Sequence, residues 1–315
     1  MPAADRPPRR PSLLLSGLVV ALALVAGACG SSSSSGGRPT IVATTTILGD
    51  MVREVVGDTA TVETLMPPGA DPHDFEPSAA QAARLRRAAL IVENGLDLEQ
   101  RLQPAIDAAA RDGVPVVAVG DRLDPAPLTD DPDVLDPHVW LDPDRMARAA
   151  GIVADEIAGA IHADTATTET LRANAGRYAD AARAAGADAA RVLAAIPEAR
   201  RILITNHDAL GYFARRFGLR VEGVVIPGGS TLAEPSAADI AALVATIRSS
   251  DVRTIFSEST TSDRLPASIA REVGRSVRVV ELNTDTLGRP GSGDATYAGL
   301  IGELAKQIAD GLGSP

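Results

Sequence analysis

Residues 142–195 read DPDRMARAAGIVADEIAGAIHADTATTETLRANAGRYADAARAAGADAARVLAA, and this stretch decides the architecture. Alanine dominates it, and after Pro143 no proline occurs before Pro197. Asp142 followed by Pro143 is a helix start: an aspartate accepts the first free backbone N–H groups, and proline stands where no N–H is needed. Gly151, Gly159, Gly176 and Gly186 punctuate the run, each a weak point in a helix. The spacing therefore predicts two helices, over 143–161 and 167–195. The second is much longer than an ordinary globular helix and reads as a stiff rod between the two flanking halves of the chain. A flexible linker would cluster Gly, Ser or Pro instead.

On either side of the rod, short apolar runs alternate with amphipathic stretches. Before it, strands are expected over 40–45, 61–66, 89–93 and 115–119, with helices over 49–56, 79–87 and 98–110. Ala79, Ala82, Ala83 and Leu85 fall near helical spacing, while Arg84, Arg86 and Arg87 lie on the wet side. After the rod, strands are expected over 201–205, 220–225, 254–256 and 277–282, and helices over 210–217, 237–248, 264–273 and 295–312. Ser236 with Asp239 three positions later makes a capping-box start. No repeat of fixed period occurs, only a repeated order of elements. The fold class expected is α/β: two parallel-sheet lobes, over 39–162 and 198–315, joined by one long rigid helix within 163–197.

The first 38 residues are of another kind. Arg6, Arg9 and Arg10 precede an apolar run over 13–28, and small residues stand directly before Cys29. This is the layout of a secretory signal over 1–28. It resembles a bacterial lipoprotein signal in which Cys29 becomes the acylated first residue, although Ala26 stands where leucine is usual. The Ser and Gly run after it reads as a flexible tether over 29–38. The folded part is thus expected outside the cytoplasmic membrane, anchored to it by a lipid on Cys29.

Composition narrows the chemistry. The chain has 315 residues, 45% of them hydrophobic, and a net charge of −11, which allows a sizeable core but gives no basic stripe for nucleic acid. Losing 1–28 removes three arginines and one aspartate and leaves the chain more acidic still. A single cysteine excludes an intramolecular disulfide and any cysteine-cage metal site. Metal chemistry has to come from carboxylates and four histidines.

Three of those histidines fall where parallel sheets bind ligands, beyond the carboxyl ends of strands. His73 follows the second expected strand, His138 lies in the long connection after the fourth, and His207 closes the first strand of the second half. His73 and His138 each end an Asp-Pro-His triplet, in which proline stiffens the loop that carries the imidazole. A ligating imidazole needs a partner on its other nitrogen; loop carbonyls, Asp136 or Asp142 are the candidates for His138. A carboxylate is expected as fourth ligand, completing a tetrahedron and offsetting charge. Asp285, after the last strand, is the choice over Glu281, which lies in the strand run, and Asp294, which reads as a cap of the last helix. Glu258, at a strand end on the same side, is a candidate acceptor behind a ligand. His162, on the helical zone, reads as an exposed residue, and Trp140 as packing for the His138 loop.

The stretches PGADPHDFEP (68–77), NGLDLE (94–99), DPHVWLDP (136–143), HDALGYF (207–213) and DTLG (285–288) occur in this order. Together they make the chain resemble the cluster A-I metal-binding lipoproteins, the zinc/manganese solute-binding components of bacterial ABC importers. The resemblance runs from about residue 39 to the C-terminus. It implies two α/β lobes on one backbone helix, with metal in the cleft between them, held by His73, His138, His207 and Asp285. Histidine at the third position marks the zinc-type members, glutamate often the manganese-type ones. Imidazole nitrogen also suits Zn²⁺ better than Mn²⁺, so Zn²⁺ is the expected cargo, with Mn²⁺ as the alternative. Many zinc-type relatives carry a histidine-rich loop before the second metal histidine; here 121–136 is acidic instead and reads as a solvated surface loop.

The expected role is capture, not catalysis. A monomer binds extracytoplasmic Zn²⁺, hands it to an ABC permease and its ATPase, and loses affinity as pH falls through about 6, where imidazoles protonate. A metallochaperone that loads the site is a further partner to consider. A zinc-buffering lipoprotein or adhesin on the same fold competes with this reading. A zinc hydrolase competes less well, since no His-Glu-x-x-His helix or nucleophile elbow is present and a fourth protein ligand closes the metal's open position.

Overall fold

The computed structural model describes residues 37–128, 131, 133–250, 252–274 and 276–313. The expected signal segment, Cys29 and most of the tether lie outside the described residues, as does Asp130 of the acidic loop. Residues from Arg38 onward form one compact unit.

The first half runs β1 (Thr40–Ala43), α1 (Thr46–Val56), β2 (Thr61–Thr64), α2 (Ala79–Leu85), β3 (Leu90–Glu93), α3 (Gln103–Arg111) and β4 (Val116–Ala118). Then come α4 (Pro143–Ala160) and α5 (Thr165–Leu193). The second half runs β5 (Ile202–Thr205), α6 (Gly211–Phe217), β6 (Arg220–Val224), α7 (Ala237–Ser249), β7 (Thr254–Glu258), α8 (Arg264–Glu272), β8 (Arg278–Leu282) and α9 (Tyr297–Gly313). The strands form two four-stranded sheets, in the orders β2-β1-β3-β4 and β6-β5-β7-β8, and every pairing is parallel. The two orders are the same order, so the repetition seen in the element pattern is a repetition of topology. Helices cover both sheet faces: Val42 and Ile91 pack with Leu85, Leu102 and Ile106 on one face of the first sheet, while Ile41 and Leu90 face the central core.

Between α4 and α5 the chain breaks at 161–164, not at any of the four glycines. His162 has φ 51°, outside the helical region, and the Asp164 carboxylate caps α5 by accepting the Thr167 N–H. His162 is exposed, as expected. Gly186 lies inside α5 because Pro143 of α4 packs against it: a Cβ there would sit 3.0 Å from the proline side chain. α5 extends over about 43 Å at 1.5 Å per residue. Its buried residues, among them Leu171, Ala175, Tyr178, Ala182, Ala189 and Leu193, recur at helical spacing. They join one apolar cluster that runs from Ile41 and Met51 of the first half to Phe256 and Leu304 of the second. α5 packs on α1 and α4 of the first half and on α9 of the second, so it is the link between the lobes. Among the described residues no helix is long and apolar enough to cross a membrane.

Some boundaries differ from the sequence expectation for identifiable reasons. α1 starts at Thr46 because the Thr45 hydroxyl caps it, accepting the Leu48 N–H; Gly49 inside it leaves room for Thr64, whose Oγ1 would lie 2.2 Å from a Cβ there. α3 starts at Gln103, with its proline in the first turn, where it breaks no hydrogen bond. α9 starts at Tyr297, and Asp294 does not cap it. The Tyr297 N–H donates to Asp50 and the Gly299 N–H to Thr296, while Asp294 accepts from Asn283 and Ser292 in the preceding loop.

Candidate metal centre

Because every strand pairing within each sheet is parallel, each sheet gathers its loops at one carboxyl end, and the sequence candidates arrive there on five separate segments. His73 stands in the loop after β2, His138 before the turn Val139–Leu141, His207 just past β5, Glu258 at the end of β7 and Asp285 past β8. All are buried, the three histidines at 0% exposure and the two carboxylates at 3% or less. The ligating atoms of His73, His138 and His207 lie within 4.8 Å of one another, and so do those of His207, Glu258 and Asp285. His207 is the residue common to both groups.

The histidine rings are aimed by different means. Asp136 accepts from both the backbone N–H of His138 at 3.0 Å and its Nδ1–H at 2.9 Å. Glu258 accepts from His207 Nδ1–H at 2.6 Å. Each carboxylate fixes a tautomer and leaves Nε2 pointing at the other ring, the two Nε2 atoms being 3.0 Å apart. Two nitrogens bound tetrahedrally to one zinc ion would be about 3.3 Å apart, so little movement separates this pair from a shared metal. His73 differs: its ring centroid is 5.5 Å from that of His207 and 5.6 Å from that of His138, and neither ring nitrogen has a hydrogen-bond partner.

Burial and mutual charge set the protonation. Burial, then the His138 and His207 charges, hold His73 well below the usual imidazole range; burial and His207 do the same for His138. His207 is also disfavoured as a cation by burial, but the Glu258 carboxylate overrides this and lifts it to about 9. Burial and the Glu258 charge push Asp285 upward. Glu258 thus favours a positive charge on His207, and a cation bound beside it is a natural replacement for that proton.

Of the loop carbonyls and two carboxylates expected as partners for His138, Asp136 takes the role; Asp142 caps α4 instead and pairs with Arg145. Asp136 also corrects the reading of 121–136 as solvated throughout, because its carboxylate is fully buried and its far oxygen meets Arg215 at 3.5 Å. Trp140 packs edge-on against His138, centroids 5.2 Å apart, and its indole N–H donates to the carbonyl of Thr284 at 2.8 Å. One tryptophan therefore touches the His138 loop and the Asp285 loop. Sequence reasoning missed Asp71, Thr46, Thr231 and Thr286. The hydroxyl of Thr231 donates to Asp71 Oδ2 at 2.6 Å, and Thr46 and Thr286 meet at 3.1 Å. The signal for Asp71 was available, since it occupies the place in its triplet that Asp136 occupies in the other; a threonine paired across the molecule leaves no local signal.

The family model described as zinc-uptake complex component A, periplasmic, matches residues 41–311. The zinc-binding protein TroA of Treponema pallidum is 31% identical over 293 residues, 90% of this chain and 93% of that one. The manganese-binding lipoprotein MntA of Halalkalibacterium halodurans is 27% identical over 301 residues, 94% and 97% of the two chains. The iron-binding protein YfeA of Yersinia pestis is 29% identical over 276 residues, 87% and 86%. The solved structure of the Treponema pallidum periplasmic zinc-binding protein TroA superposes with a TM-score of 0.80 at 29% identity, covering 88% of this chain and 99% of that one.

Proposed function

The chain belongs to the periplasmic zinc-uptake component family, metal-binding lipoproteins of bacterial ABC importers and not enzymes, and from that premise we propose that it captures Zn²⁺ outside the cytoplasmic membrane and delivers it to an ABC permease. His73, His138, His207 and Asp285 hold the ion, and Glu258 holds His207. The observation that carries this reading is a convergence of buried polar atoms with no partner: both ring nitrogens of His73, Oδ1 of Asp285 and Oε1 of Glu258. Buried polar atoms in native proteins are almost always satisfied, and leaving several orphaned in one place is costly. A divalent cation satisfies imidazole nitrogen and carboxylate oxygen together.

Zinc is favoured over manganese by the donors themselves. Three imidazoles and one carboxylate suit a four-coordinate Zn²⁺, whereas Mn²⁺ prefers more oxygen and binds more weakly to a given nitrogen site. Relatives that bind zinc, manganese and iron share this fold, so cargo identity rests on the donor set and not on likeness. The N-terminal lipid on Cys29 would keep the protein beside its permease.

The test is anaerobic competition titration of the wild type with Zn²⁺ and Mn²⁺ against a chromophoric chelator. One Zn²⁺ per chain, bound more tightly than Mn²⁺, is expected. Asp285→Ala should weaken zinc by about a hundredfold or more, because removing one ligand opens the shell and leaves less negative charge to offset the ion. Affinity in that variant near the wild-type value would sink the ligand assignment, and tighter Mn²⁺ binding would overturn zinc as the cargo.

A further inference from the structure

Two of the three clustered imidazoles are held by their own rings, and the third is not. Asp136 grips His138 and Glu258 grips His207 through Nδ1, but His73 has no hydrogen bond on either nitrogen. Its place is set by its backbone. The His73 N–H donates to Asp71 Oδ1 at 2.9 Å, and the other oxygen of the same carboxylate accepts the Thr231 hydroxyl at 2.6 Å. Thr231 lies in the opposite lobe, in the loop after β6, 160 residues away along the chain.

That loop is itself fastened beside His207. The Asp208 N–H donates to the Gly228 carbonyl at 3.2 Å and the Ile226 N–H to the Asn206 carbonyl at 2.7 Å. One continuous path therefore joins the backbone around His207, through Thr231 and Asp71, to the backbone of His73. A second tie supports the same loop of the first lobe, where the Gly69 N–H donates to Thr286 Oγ1 at 3.1 Å. Asp71 is not a spare metal ligand, because each of its oxygens is engaged and it lies in neither cluster of ligating atoms.

We infer that Thr231 is a positioning residue for His73: by clamping Asp71 across the cleft, it couples closure of the two lobes to placement of the one imidazole that no side chain holds. When the lobes part, the Thr231–Asp71 bond breaks, and His73 is the ligand freed to leave the metal. His138 and His207 keep their carboxylate partners in either state, since both of those pairs lie within a lobe. Thr231 thus governs how long the cargo stays and not how fast it arrives. The inference rests on the proposed metal-capture role, and its experiment separates the two.

The full-length chain is loaded with Zn²⁺, and release into excess chelator is followed by stopped flow, alongside equilibrium titration of the wild type. Thr231→Val, which keeps shape and removes the hydroxyl, should speed release about tenfold, the loss of one hydrogen bond to a charged group, while the association rate stays within about twofold. Thr231→Ser should restore slow release. On an Asp71→Ala background, Thr231→Val should add nothing, because its partner is already gone. An unchanged release rate in Thr231→Val overturns the inference, and so does an effect that adds in full to that of Asp71→Ala. A wild type that takes up no Zn²⁺ or Mn²⁺ removes the capture role and the clamp with it, whereas a binding wild type with an indifferent Thr231 removes only the clamp.

Discussion

The His207–Glu258 contact of 2.6 Å does two opposed things. It orients Nε2 toward the site, and it holds a second proton on His207 up to about 9. If His207 ligates as proposed, a metal arriving at Nε2 has to expel that proton, and affinity is expected to fall as pH drops below about 9, by up to about tenfold per unit for one displaced proton. This onset is well above the pH of about 6 expected of free imidazoles. Because the folded-state value is raised, the proton is held firmly at neutral pH and competes with the metal until pH passes that value. Glu258→Ala removes both effects. Zinc affinity at pH 9 should fall about ten- to a hundredfold through loss of orientation, and the slope of log affinity between pH 7 and 9 should flatten. Competition titrations at three pH values measure both, and an unchanged slope would show that Glu258 is not what holds the proton. At this scale the sequence was most readable where one short motif carried the chemistry. The two Asp-Pro-His triplets fold alike, with aspartate accepting the histidine N–H in each. What each second carboxylate oxygen does, toward Arg215 in one case and Thr231 in the other, depends on residues far along the chain.

At the scale of elements, strand and helix positions were readable because period and punctuation are local, and the errors sit where packing overruled them. Gly49 was expected to open its helix and Gly186 to lie inside the long one, and both positions are glycine because another chain segment comes too close for a Cβ; what local pattern did not show is that the first helix begins three residues earlier, at Thr46. Gly176 is different, since a Cβ added there, in the middle of α5, would meet nothing within 4 Å. The two α5 positions therefore respond oppositely to a side chain. Gly176→Ala should stabilise the protein by about 0.5–1 kcal/mol, the ordinary helix-interior difference. Gly186→Val should cost about 1–3 kcal/mol by forcing α4 and α5 apart at Pro143. Urea unfolding of the two variants decides it, and a neutral Gly186→Val would mean that the α4–α5 contact yields without loss. The last-helix cap shows the same limit from the polar side: Asp294 had the right chemistry and spacing, but Asp50 of α1 takes the Tyr297 N–H, a contact between residues 247 positions apart.

For the whole molecule, the proposed arrangement of ligands makes cargo and architecture one problem. Of the proposed ligands, His73 and His138 come from the first lobe and His207 and Asp285 from the second, so an ion held by them would add a cross-link to those the lobes already have, among them the Thr46–Thr286 hydroxyl pair, the Thr231–Asp71 bond and the indole of Trp140. An ion that binds only the folded chain stabilises it by mass action, about 2.7 kcal/mol at about a hundred times its dissociation constant. For a chain of this size that corresponds to a rise in Tm of about 5–10 °C. Scanning calorimetry of the wild type with Zn²⁺ in that excess should show the rise, and a chelator should reverse it. The double variant His73→Ala/Asp285→Ala removes one proposed ligand from each lobe and should lose the rise, measured against the double variant's own metal-free melting temperature, which truncation of two buried side chains lowers. If zinc lifted the double variant as much as the wild type, the stabilising ion would be bound elsewhere, and the cleft would not be where this protein carries its metal.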